Sequence, residues 1–128
     1  MVWDPLRKKE VASTPEERVR QWFIGVLKES AGVPAHMMMS EVGLAERALR
    51  ADIVIYDRKA RPAAVVECKR EEVVLTREVL EQGLKYYGIL QVRFIIITNG
   101  RSTYVFGRGE DGFRQMGALP SYEEMIKK

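Results

Sequence analysis

An apolar stretch that ends in a carboxylate and an ammonium group, Val65-Val66-Glu67-Cys68-Lys69, constrains this chain more than any other feature. The β-branched residues before Glu67 are typical of a buried strand. Side chains alternate along a strand, so Glu67 and Lys69 emerge on one face, roughly 6.6 Å apart, whereas Cys68 points to the other face. The sequence therefore predicts an acid and a base that share one small site at the end of a strand.

A second apolar stretch, residues 51–56, carries one acid, Asp52, near its start. If an even-length hairpin joins the two strands so that Asp57 pairs with Pro62, Asp52 falls directly opposite Glu67. Like charges that face each other across a sheet are destabilising, so this arrangement suggests a cation between them. Oxygen ligands in ones and twos, with water completing the shell, suit Mg²⁺ or Mn²⁺.

The alternative interpretation is that these charges are ordinary surface groups. Acids at strand ends are often solvated, and a pair such as Glu67 and Lys69 on one exposed face adds almost nothing to stability. Any one of the three residues alone favours that alternative. The combination of Asp52, Glu67 and Lys69 on two adjacent apolar strands favours a functional site.

Composition narrows the class of protein further. A chain of 128 residues with 46% apolar and 30% charged residues is typical of one globular domain. The net charge of +3 is compatible with a nucleic-acid partner without requiring one. One cysteine and one histidine cannot build the usual zinc tetrahedron, and we expect Cys68 to be a small core residue. The chain has no apolar run of about 18 residues and no apparent secretion signal, so we expect a cytoplasmic protein without a membrane span.

Residues 1–13 are predicted to form an N-terminal arm with Trp3 as a possible anchor, and residues 14–128 a single domain. Thr14, followed by Pro15 and by Glu17 in a capping box, predicts the start of a first helix that runs to about residue 30. Thr76 is expected to cap a second helix through about residue 90. Strands are predicted at about 36–42, 51–56, 63–69, 93–98 and 102–106, and a short helix at 121–127. This order predicts an α/β sandwich whose central mixed sheet has about five strands flanked by helices.

Five short segments, in this order along the chain, resemble a known family, the N-terminal nuclease domain of type I restriction enzyme R subunits. That domain belongs to the PD-(D/E)xK nuclease superfamily, with its restriction-endonuclease-like fold, and the resemblance covers roughly residues 14 to 107. The segments are Pro15-Glu16-Glu17-Arg18-Val19-Arg20-Gln21, Arg50-Ala51-Asp52, Val66-Glu67-Cys68-Lys69, Gln82 with Tyr86, and Thr98-Asn99-Gly100.

The resemblance implies catalytic roles for five residues. Asp52 and Glu67 would bind Mg²⁺, with Mn²⁺ as a possible substitute. Lys69 would act on the attacking water or on the charge of the transition state, and Gln82 and Tyr86 would line the site from the second helix. Held near two carboxylates, Lys69 is expected to stay protonated, which favours an orienting and charge-stabilising role over that of a general base.

The resemblance also implies a wider set of metal-binding residues. Cys68 falls within the metal-binding motif, and Glu17 matches a helix-one acid that can approach the metal shell, with the capping box as its alternative role. Apart from the resemblance, basic residues cluster in sequence around the proposed site; they could contact DNA phosphates and make binding salt-dependent, or else belong to a solvated surface. These basic residues are Arg47, Arg50, Lys69, Arg70, Arg77 and Lys85.

Two functions follow as expectations. The first is a Mg²⁺-dependent DNA endonuclease or nuclease domain of a restriction system, with DNA and possibly other restriction-system subunits as partners. The second is a non-catalytic nucleic-acid-binding or assembly module that keeps the nuclease fold. The 128 residues contain no Gly-x-x-x-x-Gly-Lys-Ser/Thr loop, so this stretch of chain is not expected to move DNA by itself.

Overall fold

A six-stranded mixed sheet organises the protein. The computed structural model describes residues 1–46 and 48–127. Strand order in the sheet is β3-β4-β5-β6-β7-β8, with β5 and β6 parallel and every other pair antiparallel; β1 and β2 form a separate hairpin. The elements are β1 (Val2–Asp4), β2 (Lys9–Val11), α1 (Pro15–Glu29), a 3₁₀ turn (Ala35–Met37), β3 (Met38–Leu44), β4 (Leu49–Tyr56), β5 (Pro62–Cys68), α2 (Arg77–Tyr87), β6 (Phe94–Thr98), β7 (Thr103–Gly109), β8 (Gly112–Met116) and α3 (Tyr122–Ile126).

Helix α1 covers one face of the sheet. Its start follows two of the predicted signals, because the Thr14 hydroxyl accepts the backbone N–H of Glu17 at 3.0 Å and Pro15 occupies the first turn. The predicted capping box is wrong in its other half, because the N–H of Thr14 donates to the carbonyl oxygen of Ala12 at 3.0 Å and not to the Glu17 carboxylate. Phe23 and Leu27 are buried in a cluster with Ile53 and residues of β5 and β6. Helix α3 adds Tyr122 and Met125 to the same cluster. Burial of these apolar side chains is what holds α1 and α3 on this face.

Helix α2 covers the opposite face, so the domain is an α/β sandwich with helices on both sides, as predicted. Thr76 caps the helix by accepting the N–H of Val79 at 3.3 Å. A β-carbon at Gly83 would lie 2.6 Å from Cδ1 of Ile97, so the absence of a side chain at Gly83 permits the close approach of α2 to the sheet. The connection from β5 through α2 to parallel β6 brings the carboxyl ends of β5 and β6 to one edge of the sheet.

The register between β4 and β5 agrees with the prediction near the site and departs from it at the turn. Ile53 pairs with Val66, and this register places Asp52 and Glu67 at the next position. At the other end an irregularity in β4 pairs Tyr56 with Pro62, so the predicted pairing of Asp57 with Pro62 is wrong. The Asp57 carboxylate instead accepts two backbone N–H groups of the turn, those of residues 59 and 61. These hydrogen bonds stabilise a turn that the even-length hairpin did not anticipate.

Two further parts of the chain differ from expectation. The sheet has six strands, because residues 112–116, for which no element was predicted, form β8, joined to β7 by a tight turn in which Gly112 has a φ of +107°. The N-terminal segment contains the β1–β2 hairpin, and Trp3 in it is 56% exposed and does not anchor it. Within the described residues, none of the helices combines the length and apolar character needed to cross a membrane.

Candidate functional site

An open cavity of about 400 Å³ lies where β5 ends, between the first turn of α1 and one side of α2. It gathers most of the residues that the sequence singles out and adds others from the two helices. Three of its lining side chains are acidic and two are basic, so its walls are predominantly polar. The lining residues are Glu16, Arg50, Asp52, Glu67, Cys68, Lys69, Val79, Gln82, Gly83, Tyr86 and Tyr87.

Glu67 and Lys69 are in direct contact in this cavity, as their alternation along β5 predicts. Nζ of Lys69 lies 2.9 Å from Oε2 of Glu67. The hydrogen bond that Lys69 donates to Glu67 raises the pKa of Lys69, so the amine is a cation at neutral pH. The backbone N–H of Lys69 donates to the carbonyl oxygen of Thr98 at 2.8 Å, which directs the chain toward β6 and away from β4.

Asp52 faces the cavity from β4 with its side chain only 23% exposed. Burial raises its pKa to about 6, although the N–H of Cys68, which donates to Oδ2 at 2.7 Å, and the charge of Arg20 act in the opposite direction. The carboxylates of Glu16 and Glu67 push the pKa of Asp52 further up. Three carboxylates of one cavity therefore interact electrostatically in the folded protein, which is the condition that a cation would relieve.

Arg20 supports Asp52 from behind, a role that the sequence analysis did not identify. Its buried guanidinium donates from Nη1 to the carbonyl oxygen of Asp52 at 3.3 Å and lies 3.9 Å from the Asp52 carboxylate. The same guanidinium donates to Glu17 at 2.9 Å and to Glu41 at 3.2 Å. An arginine in the middle of an amphipathic helix carries no sequence signal for this contact, because Asp52 is distant along the chain.

The acid of α1 that reaches the cavity is Glu16. Glu17, the residue that the resemblance implies, lies outside this cavity, and its carboxylate accepts hydrogen bonds from Arg7 at 2.7 Å, from Arg20 and from Gln21 at 2.8 Å. Burial opposes ionisation of Glu17, but these hydrogen bonds outweigh burial and hold its pKa below the ordinary value. Successive residues of a helix point about 100° apart, so only one of two adjacent acids can face the site.

Cys68 is among the residues that line the cavity, and its side chain packs in the core. The residue is 2% exposed and lies in the cluster beneath α1, as expected for a core cysteine. Burial raises the pKa of the thiol well above its ordinary value, which favours the neutral thiol when no metal is bound. The backbone N–H of Cys68 holds Asp52, and the role of the thiol as a metal ligand stays a prediction.

Helix α2 supplies Gln82 and Tyr86 to the cavity wall, the two positions implied by the resemblance. Tyr86 is 42% exposed, and its hydroxyl oxygen accepts the backbone N–H of Arg50 at 3.2 Å. The neighbouring Tyr87, which the sequence analysis did not single out, is 2% exposed and donates its hydroxyl to the carbonyl oxygen of Arg50 at 3.1 Å. Tyr87 is therefore the tyrosine on the buried face of α2, and Tyr86 is the more exposed of the two.

Of the basic residues expected at DNA that the structure describes, Arg50 and Lys69 line this cavity. Arg70 lies beside a separate depression next to α1 and pairs with Glu72 at 3.1 Å. Arg77 is 88% exposed, Lys85 is also exposed, and neither lines the cavity. Arg47 lies outside the described residues.

The carboxylate oxygens of the cavity suit Mg²⁺ better than a metal ion that takes all of its ligands from the protein. No three Asp, Glu, His or Cys side chains within residues 1–46 and 48–127 converge closely enough to enclose a metal ion. Mg²⁺ keeps several waters and is commonly held by one or two carboxylates together with substrate phosphates. Asp52 and Glu67, in an open and polar cavity, meet that requirement.

Together these features define an α/β sandwich with an acid, acid and lysine site at the end of a central strand. A family model for the type I restriction enzyme R protein N terminus (HSDR_N) matches residues 15–120. The chain belongs to this family of restriction-enzyme R protein N-terminal domains. No curated protein matches the chain.

Proposed function

We propose that this domain is the nuclease module of a restriction system and hydrolyses DNA phosphodiester bonds in a Mg²⁺-dependent reaction. The observation that carries the proposal is the presence of Asp52, Glu67 and Lys69 in one open cavity, with Glu67 and Lys69 in contact. Membership of the R protein N-terminal family supports DNA as the substrate and other restriction subunits as partners.

The charges of the cavity suggest why the phosphate that reacts beside Asp52 and Glu67 would need a divalent cation. Glu16, Asp52 and Glu67 outnumber Arg50 and Lys69, so with all five groups ionised the walls carry a net negative charge. A phosphate next to the two carboxylates would be repelled without the cation. One divalent cation reverses the sign of the cavity and favours the phosphate.

Each protein group then has a defined task. Asp52 and Glu67 would hold Mg²⁺, which when bound polarises a phosphate and lowers the pKa of a water molecule. Lys69 is protonated and positioned by Glu67, so it can stabilise the negative charge that develops on the phosphate. Gln82 and Tyr86 form the wall on the α2 side. A cationic lysine cannot accept the proton of water, so the general base is not Lys69.

Nicking of supercoiled plasmid DNA tests this proposal. The whole chain should nick the plasmid with Mg²⁺ or Mn²⁺ and not with EDTA. Asp52→Asn should abolish nicking because it removes one carboxylate from the site. Glu81→Gln is the matched control, since Glu81 is an exposed acid of α2 that does not line the cavity. If the wild type neither binds the metal nor nicks DNA, catalysis is excluded and a non-catalytic assembly module takes its place.

A further inference from the structure

Strand β4 continues beyond the point where β5 leaves it. Its last pair with β5 joins Ile53 to Val66, whereas β4 begins at Leu49 and pairs with β3 over that whole stretch. Backbone polar groups at such an edge normally form hydrogen bonds with water or with another strand. Here side chains of α1 and α2 take the place of β5. Arg20 donates to the carbonyl oxygen of Asp52, and two tyrosines of α2 contact the backbone of Arg50.

Two consecutive tyrosines bind both backbone polar groups of Arg50. The N–H of Arg50 donates to the Tyr86 hydroxyl at 3.2 Å, and the Tyr87 hydroxyl donates to the Arg50 carbonyl oxygen at 3.1 Å. The Tyr87 ring is buried in the apolar cluster beneath α2, and the two rings meet edge to face with centroids 4.8 Å apart. The Tyr87 ring is buried and the Tyr86 ring packs against it, so both side chains have few rotamers. Their hydroxyls therefore present a fixed pair of contacts to Arg50.

The side chain of Arg50 is the more available of the two cations that line the cavity. Lys69 is committed to Glu67 at 2.9 Å, whereas the Arg50 guanidinium is 64% exposed and has Glu41 at 3.4 Å, a long and partly solvated contact. Exposed pairs of this kind are weak, so the guanidinium can exchange Glu41 for a stronger anion at little cost. A phosphate offers two oxygens in the geometry that a guanidinium recognises.

We infer that Arg50 receives a backbone phosphate of DNA at the mouth of the cavity, and that Tyr86 and Tyr87 are positioning residues that hold its backbone for this contact. Fixing the backbone beforehand reduces the ordering that binding would otherwise require. The inference rests on the proposed function for the identity of the ligand as DNA. It does not require hydrolysis, because the contact is made by protein groups alone.

The first arm of the test measures DNA binding without metal. Fluorescence anisotropy of a short labelled duplex is recorded in EDTA over a range of salt concentrations for the wild type, Arg50→Gln and Arg61→Gln. Loss of one phosphate contact should make the slope of log K against log[salt] less negative by about 0.9. Arg61→Gln is the control, because Arg61 is an exposed arginine of the turn between β4 and β5 that pairs with Asp57 and does not line the cavity. Arg50→Lys should restore most of the slope while leaving binding weaker than wild type.

The second arm separates positioning from a structural role. Tyr87→Phe keeps the buried ring and removes the hydroxyl, and we expect DNA binding to weaken about twofold to tenfold, the range of one net hydrogen bond. Tyr122→Phe is the matched control, because Tyr122 is a buried tyrosine that donates to the carbonyl oxygen of Tyr56 at the far end of the same strand. Tyr86→Phe removes the other hydroxyl that contacts Arg50. Because the Tyr86 ring is 42% exposed, this variant does not put the fold at risk.

A double-mutant cycle decides between the outcomes. If the tyrosines act through Arg50, Tyr87→Phe should have no further effect on DNA affinity when Arg50 is already glutamine. An equal loss in both backgrounds, or equal salt slopes for Arg50→Gln and Arg61→Gln, would overturn the inference. A protein that fails to nick plasmid but shows the Arg50-dependent slope would lose its proposed catalytic function and keep this phosphate contact.

Discussion

Replacing Asp52 with asparagine should stabilise the metal-free protein and abolish its response to Mg²⁺. The pKa of Asp52 is about 6 in the folded protein against an ordinary value of 3.8, chiefly because the carboxyl is buried. An acid whose folded pKa is raised binds its proton more tightly when folded, so stability falls as pH rises from about 4 to about 6 and stays at the lower level above that. Asparagine carries no charge and can still accept the N–H of Cys68.

The size of this effect follows from the pKa difference. A shift of about two units corresponds to at most about 3 kcal/mol, since one unit is 1.36 kcal/mol. Because the side chain is 23% exposed, solvent screens part of this cost. We therefore expect Asp52→Asn to gain about 1 to 2 kcal/mol near pH 7.5, which raises the melting temperature by roughly 3 to 8 °C.

Thermal unfolding in EDTA and in Mg²⁺ provides the assay. In EDTA near pH 7.5 the variant should have a higher melting temperature than the wild type. The two melting temperatures should converge near pH 4, where Asp52 is protonated in the folded protein. In Mg²⁺ at about one hundred times the dissociation constant, the wild type should gain about 2.7 kcal/mol and the variant nothing, so the order reverses. Glu81→Gln should follow the wild type throughout. A variant no more stable than wild type in EDTA near pH 7.5 would refute the electrostatic reasoning.

Three further changes test other parts of the site. Lys69→Ala removes a positive neighbour and leaves both carboxylates, so the Mg²⁺-induced thermal shift should persist while the nicking rate falls by about 10² to 10³, the usual effect of losing one transition-state stabiliser. Arg20→Met removes one buried ion-pair partner of Glu17, so urea unfolding should show that the free energy of unfolding falls by about 3 kcal/mol. A fall of less than about 0.5 kcal/mol would mean that the buried ion pairs contribute little to stability. Native Cys68 should resist a thiol reagent that labels it in urea, and Cys68→Ala should keep the Mg²⁺ response; a lost response would make the thiol a ligand.

The sequence by itself determined the elements whose signals are local. Alternation along an apolar strand put Glu67 and Lys69 side by side, because the period of a strand is a property of the backbone. The caps at Thr14 and Thr76 were equally readable, since each hydroxyl bonds an N–H three residues away. The register that brings Asp52 opposite Glu67 also agrees with the prediction near the site, although the hairpin pairing from which it was derived does not form.

Only the tertiary structure decided which neighbours those residues meet. The even-length hairpin failed at Asp57, because its carboxylate accepts hydrogen bonds from backbone N–H groups of the turn, and these compete with strand pairing. Rotation of α1 decided between Glu16 and Glu17, and rotation of α2 decided between Tyr86 and Tyr87. Adjacent helical residues have the same local signals, so their roles depend on which side of the helix faces the sheet. Arg20 reaches Asp52 across 32 positions of chain. That contact comes from packing α1 on the sheet, which no local pattern encodes.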